Sequence, residues 1–333
     1  MPKEWRTSPK GCAIGSRSTH RSPDHLWRTT GTWQLGLQHQ FGSNWLAEVD
    51  YVGTKGVKLP ITVPENQLPF SEWGVSGNPQ SLRQFPQYLN VTWLENNGNS
   101  LYSALQASLQ RRWSSGVLSF AYTWAKITDD VDGPASSSPI QDIYNLKAEH
   151  GIASYDVPQR FVANYVYRIP LGRGSKLLAG VPVVQDVVRG WEISGVTEMQ
   201  IGLPLAVTQN NGTGGFTGTQ RPEQIAPAAL SRGDRTLSQW FNTNAFVVAP
   251  PFTAGTEPRF SLFGPGINNW DTALMRNFPV RERVTVQLRG EFYNTFNHPN
   301  FKNPNTTLGN VNYGKITGDN GARVTEVALR IFF

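Results

Sequence analysis

Cysteine is almost missing from the chain. Cys12 stands alone among 333 residues, which excludes an internal disulfide and a cysteine-based zinc site. Long hydrophobic runs are missing as well. The longest greasy stretch, Leu177-Leu178-Ala179-Gly180-Val181-Pro182-Val183-Val184, is short and broken by proline, so no helix is expected to span a bilayer. The opening Met1-Pro2-Lys3-Glu4-Trp5 leads into no hydrophobic core, so no signal peptide is expected in this chain. Charge is scarce, at 16% against about a quarter in ordinary proteins. Apolar residues are few, at 38%, below the usual range of about 45–50%, which also counts glycine.

Scarcity on both counts leaves Asn, Gln, Ser, Thr and Gly. Disorder is excluded by the 11 Trp, 10 Tyr and 17 Phe, because disordered chains are poor in aromatics. The net charge of +6 suggests a nucleic-acid partner until it is located. Lys3, Arg6, Lys10, Arg17, Arg21 and Arg28 against Glu4 and Asp24 supply +4 of it within residues 1–30. The remainder is near neutral and carries no basic stripe, so no nucleic acid is expected as a partner.

What is present is alternation. In the last residues Phe333, Ile331, Leu329 and Val327 share one parity, while Phe332, Arg330, Ala328 and Glu326 share the other. A strand sends alternate side chains to opposite faces. This one has an apolar face and a face with both signs of charge. A soluble sandwich can end on such a strand, and an outer-membrane barrel wall requires it, with apolar side chains to lipid and polar ones to the lumen.

The same pattern recurs along the chain. Trp33, Leu35, Leu37 and Phe41 precede a Gly42-Ser43 hairpin signal, and Trp45, Ala47, Val49 and Tyr51 follow it. Leu105, Ala107 and Leu109 pass through Ser114-Ser115-Gly116 to Leu118, Phe120, Tyr122 and Trp124. Phe161 to Tyr167, Trp191 to Leu203, a weaker Trp270 to Phe278 turned by Pro279-Val280-Arg281, and Val284 to Phe296 complete the set. Long polar loops are expected at 54–100, 128–158, 209–267 and 298–321, with a medium connection at 170–187. This is about nine strands of roughly ten residues, the length a tilted barrel strand needs. The connections run short, long, short, long, medium, long, short, long. That order puts every long loop at one end. An odd strand count starting at that end implies that earlier strands, and a signal peptide with them, belong to an upstream portion.

Several motifs carry a resemblance. They include Tyr51-Val52-Gly53-Thr54-Lys55-Gly56, Asn99-Ser100-Leu101-Tyr102-Ser103-Ala104-Leu105-Gln106 and Asp156-Val157-Pro158-Gln159-Arg160-Phe161. Gly190-Trp191-Glu192-Ile193-Ser194-Gly195 with Gly202-Leu203-Pro204, and Glu291-Phe292-Tyr293-Asn294-Thr295-Phe296-Asn297-His298-Pro299-Asn300-Phe301, follow in order. Over residues 31–333 the chain resembles the C-terminal part of Oar-like TonB-dependent receptors, the group with a carboxypeptidase-regulatory-like domain. Residues 1–30 read as irregular and outside the resemblance. The resemblance implies an all-β antiparallel transmembrane β-barrel of 22 strands, of which this chain is a part. It implies a cell outer-membrane location and import or binding of a bulky substrate. The implied partners are outer-membrane lipid, the barrel-assembly machinery through the C-terminal strand, and the TonB complex in a full-length receptor only. The plug and coupling segment are not in this chain.

In such a wall Phe333, Ile331, Leu329, Val327, Phe292, Leu288, Phe120 and Tyr122 are expected to face lipid. Arg289, Glu291, Glu326 and Arg330 are expected to face the lumen, as cross-strand ion pairs. Trp124, Trp191 and Trp270 suit aromatic girdles better than sugar stacking. Asp129, Asp130 and Asp132 miss the calcium-loop spacing of an EF-hand. Gly172-Arg173-Gly174-Ser175 lacks the phosphate-loop lysine. His298 lies in a loop and is read as structural. No Gly-x-Ser-x-Gly elbow occurs, and no paired carboxylates with hydrolase spacing. No catalytic residue, metal ligand or cofactor is assigned. The alternative is a secreted soluble β-sandwich that binds carbohydrate, with its apolar faces buried between two sheets.

Overall fold

The computed structural model describes residues 28–333, apart from 90, 131, 133–139, 171–189 and 211–219. Residues 1–27, most of the 170–187 connection and the Gly172-Arg173-Gly174-Ser175 stretch lie outside the described residues.

Nine long strands form one antiparallel sheet in sequence order. They are β1 (Thr29–Phe41), β2 (Trp45–Pro64), β3 (Thr92–Trp113), β4 (Gly116–Asp129), β5 (Gln159–Arg168), β6 (Trp191–Gln200), β7 (Ile267–Arg281), β8 (Val284–Tyr293) and β9 (Val324–Phe332). A two-residue strand, Gly151–Ile152, adds to the end of β4. The sheet is an open path: among the described residues, β1 and β9 each pair on one side only.

Register decides what the alternation means. The pairs Phe41–Trp45, Trp45–Arg111, Arg111–Leu118, Leu118–Tyr165, Tyr165–Gly195, Gly195–Thr272, Thr272–Phe292 and Phe292–Thr325 form one row across all nine strands. Directly opposed residues point to the same side of a sheet. The apolar parity of every strand therefore falls on one common face. A slip of one residue in any pair would have turned the following strands over.

That face is uncovered. Val327 is 76% exposed and Ile331 58%. The second sheet that a sandwich would lay over it is not there among the described residues.

Aromatic rings fill the gaps that glycines leave. A Cβ at Gly53 would lie 2.1 Å from the Trp33 ring, and one at Gly195 would lie 2.5 Å from the Tyr165 hydroxyl. These glycines let a ring lie flat across the neighbouring strand.

Three readings of the sequence need correction. The 54–100 segment is not one loop: β2 continues to Pro64 and β3 begins at Thr92, paired through Pro64–Thr92. Pro60, Pro64 and the glycines signalled a break, but register shifts around Leu59 absorb the irregularity, with Lys58 at φ 55. The turn between β7 and β8 is at 282–283, since Pro279 still pairs with Thr285 and Arg281 with Val284. Phe296 lies beyond β8, edge-on to Trp270 at 5.4 Å.

The largest core lies outside the main sheet, although Ile61 and Val63 of β2 pack with Ile140 in a smaller one. The long connections at 65–91, 130–158, 201–266 and 294–323 gather at one end as a cap with its own interior. Leu205, Val207, Ala228, Phe241, Ala245, Phe246 and Leu262 form its largest apolar cluster, with Trp240 and Tyr313 against it.

Candidate functional site

The face opposite the apolar one carries the polar chemistry. Arg289, Glu291, Glu326 and Arg330 all fall on it by register. On β8, Arg289 Nε donates to Glu291 Oε1, and Tyr293 Oη donates to Glu291 Oε2 at 3.0 Å. This pair runs along one strand, not across two. Glu326 stands opposite Glu291, and Arg330 opposite Gln287. The cross-strand ion pairs are elsewhere, on β5 and β6: Arg160 with Glu198 at 2.8 Å and Arg168 with Glu192 at 3.1 Å. Arg168 stands directly opposite Glu192, while Arg160 reaches Glu198 on the diagonal. Neither pairing shows in one strand read by itself.

Beside the Arg289–Glu291–Tyr293 cluster is a cavity of about 420 Å³. Val117, Val166 and Val196 line one part of it and the β8 trio another. This polar face therefore presents a shallow apolar floor with a hydrogen-bonding rim, the usual composition of a ligand pocket.

The cap closes the long-loop end of the sheet. Arg259 Nη2 donates to Asp129 and to Asp132, the latter at 2.8 Å, and its Nη1 donates to Glu149 O at 3.1 Å. Arg221 holds Glu149 by a fork of 2.7 and 3.1 Å. Gln141 joins the two sides: its Oε1 accepts from Arg221 N at 2.6 Å and its Nε2 donates to Gly255 O at 3.1 Å. Gln67, from the 65–91 loop, donates to Gln141 O at 2.8 Å and accepts from Ile143 N at 2.9 Å. The 294–323 loop is tied in by Thr208 N to Thr306 O at 3.1 Å and Ile316 N to Leu237 O at 2.8 Å. Arg221, Arg259, Asp129 and Glu149 are each less than a tenth exposed. Buried charges are costly unless paired; each of these is paired, although the Nε of Arg221 and of Arg259 has no partner among the described residues, so breaking a contact would strand a charge and the loops are held in one arrangement.

The aspartates at 129–132 are thus engaged by protein. Asp129 and Asp132 hold Arg259. Asp130 accepts from Asn99 N at 2.8 Å and meets His150 Nδ1 at 2.8 Å. Burial pushes the Asp142 and Asp156 carboxyls up from their ordinary values, against hydrogen bonds from Tyr144 N and Ile127 N respectively.

The Asn-Thr-Phe-Asn-His-Pro-Asn stretch at 294–300 is a backbone staple. Asn294 and Asn297 sit at φ 52 and 53. Their side chains accept from His298 N and Arg323 N, both at 2.9 Å, and Asn300 accepts from Asn268 N at 2.8 Å. Left-handed backbone suits asparagine, so the motif's spacing is explained by turn geometry. His298 takes part through its main chain.

The profile described as "Outer membrane beta barrel domain" matches residues 3–326. The chain belongs to this family. It is an outer-membrane β-barrel domain, open in this structure and partial. No curated protein matches it in sequence. Among solved structures, the outer membrane transporter YddB from Escherichia coli is similar at 10% identity and TM-score 0.49, covering 94% of this chain and 33% of that one. A Pseudomonas aeruginosa FadL homologue is similar at 11% identity and TM-score 0.22, covering 96% of this chain and 71% of that one. The barrel domain thus spans about a third of the length of YddB.

The residues expected at the lipid boundary come together on the barrel domain's apolar face. Phe120, Tyr122, Leu288, Phe292, Val327, Leu329 and Ile331 share it by register, with Phe333 following β9. Trp124, Trp191 and Trp270 are on the same face. The cap network was missed. Its contacts join residues 72 to 130 positions apart, without any periodicity to announce them.

Proposed function

We propose that this domain is a wall segment of an outer-membrane transporter resembling the Oar-like TonB-dependent receptors, passing or capturing a bulky polar ligand and performing no chemistry of its own. The observation that supports this reading most is the division of the sheet. The bulk of the large apolar strand residues take one face, with Val117, Val166 and Val196 among those on the other, and the strand carboxylates of β2, β4 and β6–β9 in regular register all take that other face. In this reading the apolar face meets lipid and Arg289, Glu291, Glu326 and Arg330 meet the lumen. The cavity beside Arg289 and the locked cap then lie along the ligand's path. The C-terminal strand would engage the barrel-assembly machinery, and coupling to TonB would need the full-length receptor.

The test is membrane fractionation of the expressed protein. It should stay with outer membranes through an alkaline wash and leave them only in detergent. A monodisperse protein in detergent-free buffer would overturn the reading.

A further inference from the structure

The apolar face has a charge pattern that a packed protein surface does not need. Within the regular rows its ionised side chains are Lys55, Arg111, Lys126 and Arg276, and it carries no Asp or Glu. Lys55, Arg111 and Lys126 lie toward its two ends, and Arg276 lies nearer the middle, with its guanidinium carbon 4.4 Å from the Phe278 ring centroid. Lys126 is eight positions along β4 from Leu118, the partner of Arg111. That is about 26 Å of strand, or about 20 Å along the normal for a strand tilted ~40°, close to the ~25 Å apolar band of such barrels.

Arg111 is the best-defined of the four. Its guanidinium carbon lies 4.9 Å from the centroid of Trp45 and 5.1 Å from that of Trp113. Trp113 is itself fixed: its ring lies over Gly116, where a Cβ would come within 2.7 Å, and it packs against Tyr167 at 6.0 Å. The side chain is exposed, and no carboxylate stands within salt-bridge distance of it among the described residues. Two indole faces thus meet the guanidinium group at cation–π distance. Arg111 is three residues from the 114–115 turn, at the short-turn end where the apolar band gives way to headgroups.

We propose that Arg111, clasped by Trp45 and Trp113, binds the phosphate group of a membrane glycerophospholipid in the leaflet nearest the short turns. The proposal rests on the lipid-facing reading above. A guanidinium fork matches phosphate oxygens bidentately, and a cation at this depth reaches the headgroup layer while its stem stays among apolar neighbours. The complement is a fixed anion presented from within the bilayer. That distinguishes a lipid headgroup from dissolved phosphate, which would approach a site flanked by hydrocarbon only from its rim.

The experiment uses the full chain inserted in dioleoylphosphatidylcholine nanodiscs carrying a few per cent of phosphatidylglycerol, with bound lipid counted by native mass spectrometry after release. Wild type should retain phosphatidylglycerol about five-fold more tightly than Arg111→Gln, the factor expected for one interfacial cation. Arg111→Lys should recover part of the loss, and Trp45→Leu should weaken retention while Arg111 remains. Inorganic phosphate at equal concentration should not displace the lipid. Equal retention by inserted wild type and Arg111→Gln would overturn this site alone. Displacement by inorganic phosphate would overturn the lipid as its ligand. Failure of both proteins to insert would overturn the barrel reading and this site with it.

Discussion

At the scale of residues, the cap carboxyl most displaced from its ordinary value is Glu257. Glu257 is 1% exposed; its Oε1 accepts from Val207 N at 3.1 Å and Ser261 Oγ at 2.9 Å, and its Oε2 has no partner among the described residues. Burial pushes its carboxyl up to about 7 from 4.5, against those two hydrogen bonds and the Arg221 charge. The folded cap therefore keeps a proton that the unfolded chain releases near 4.5. The associated stability is complete below that pH and falls as pH rises toward 7, by about 3 kcal/mol at most. Tyr313, whose hydroxyl is likewise buried and unpaired among the described residues, has its phenol raised by burial and then by the nearby Glu257 carboxylate. Protease cleavage of the cap should thus be slower at pH 5 than at pH 8, after correction for the enzyme's own profile. Glu257→Gln should remove the difference. A wild-type cap with the same susceptibility at both values would refute the assignment. Nothing in the local sequence, Gly255-Thr256-Glu257-Pro258, announces this carboxyl, because several of the groups around it, Val207 N, Pro222 O and the Arg221 charge, come from 35 to 50 positions away.

At the scale of elements, strands and their faces were legible and the joints between distant loops were not. Alternation is a local property, so a strand such as Leu118 to Trp124 reveals its two faces from a handful of residues. Pairing order follows from short turns at 42–44, 114–115 and 282–283. The β2–β3 extension was hidden because Pro60 and Pro64 punctuate it, yet proline is compatible with a strand at bulges and ends. The faces of β9 supply a direct test. Leu329→Arg near the middle of the strand should cost roughly 2–4 kcal/mol of folding in bilayers if its face meets hydrocarbon. Ala328→Arg, on the opposite face, should cost much less. Urea titrations in vesicles that gave equal losses would contradict a one-sided membrane contact. The candidate cavity was half legible: Arg289 and Glu291 share a parity, but their valine neighbours come from β4, β5 and β6.

At the scale of the molecule, the sheet has, among the described residues, two free edges, β1 and β9, that run in the same direction because the antiparallel path has an odd number of long strands. Joining them directly would make a parallel seam. Bare edges invite pairing with other chains. The domain in micelles should therefore associate as its concentration rises, and a peptide with the sequence of residues 324–332 should compete. Sedimentation as a monomer at all dilutions would show that the edges are otherwise protected. The cap has a different consequence. Arg221 and Arg259 belong to one connection, and their carboxylates Glu149, Asp129 and Asp132 belong to another or to its root. The connections therefore cannot be exchanged singly between homologous scaffolds. A graft of 130–158 alone would import or lose acids without their arginines, so a working chimera must transplant 201–266 alongside it, with Gln67 retained as the hinge pin of the third.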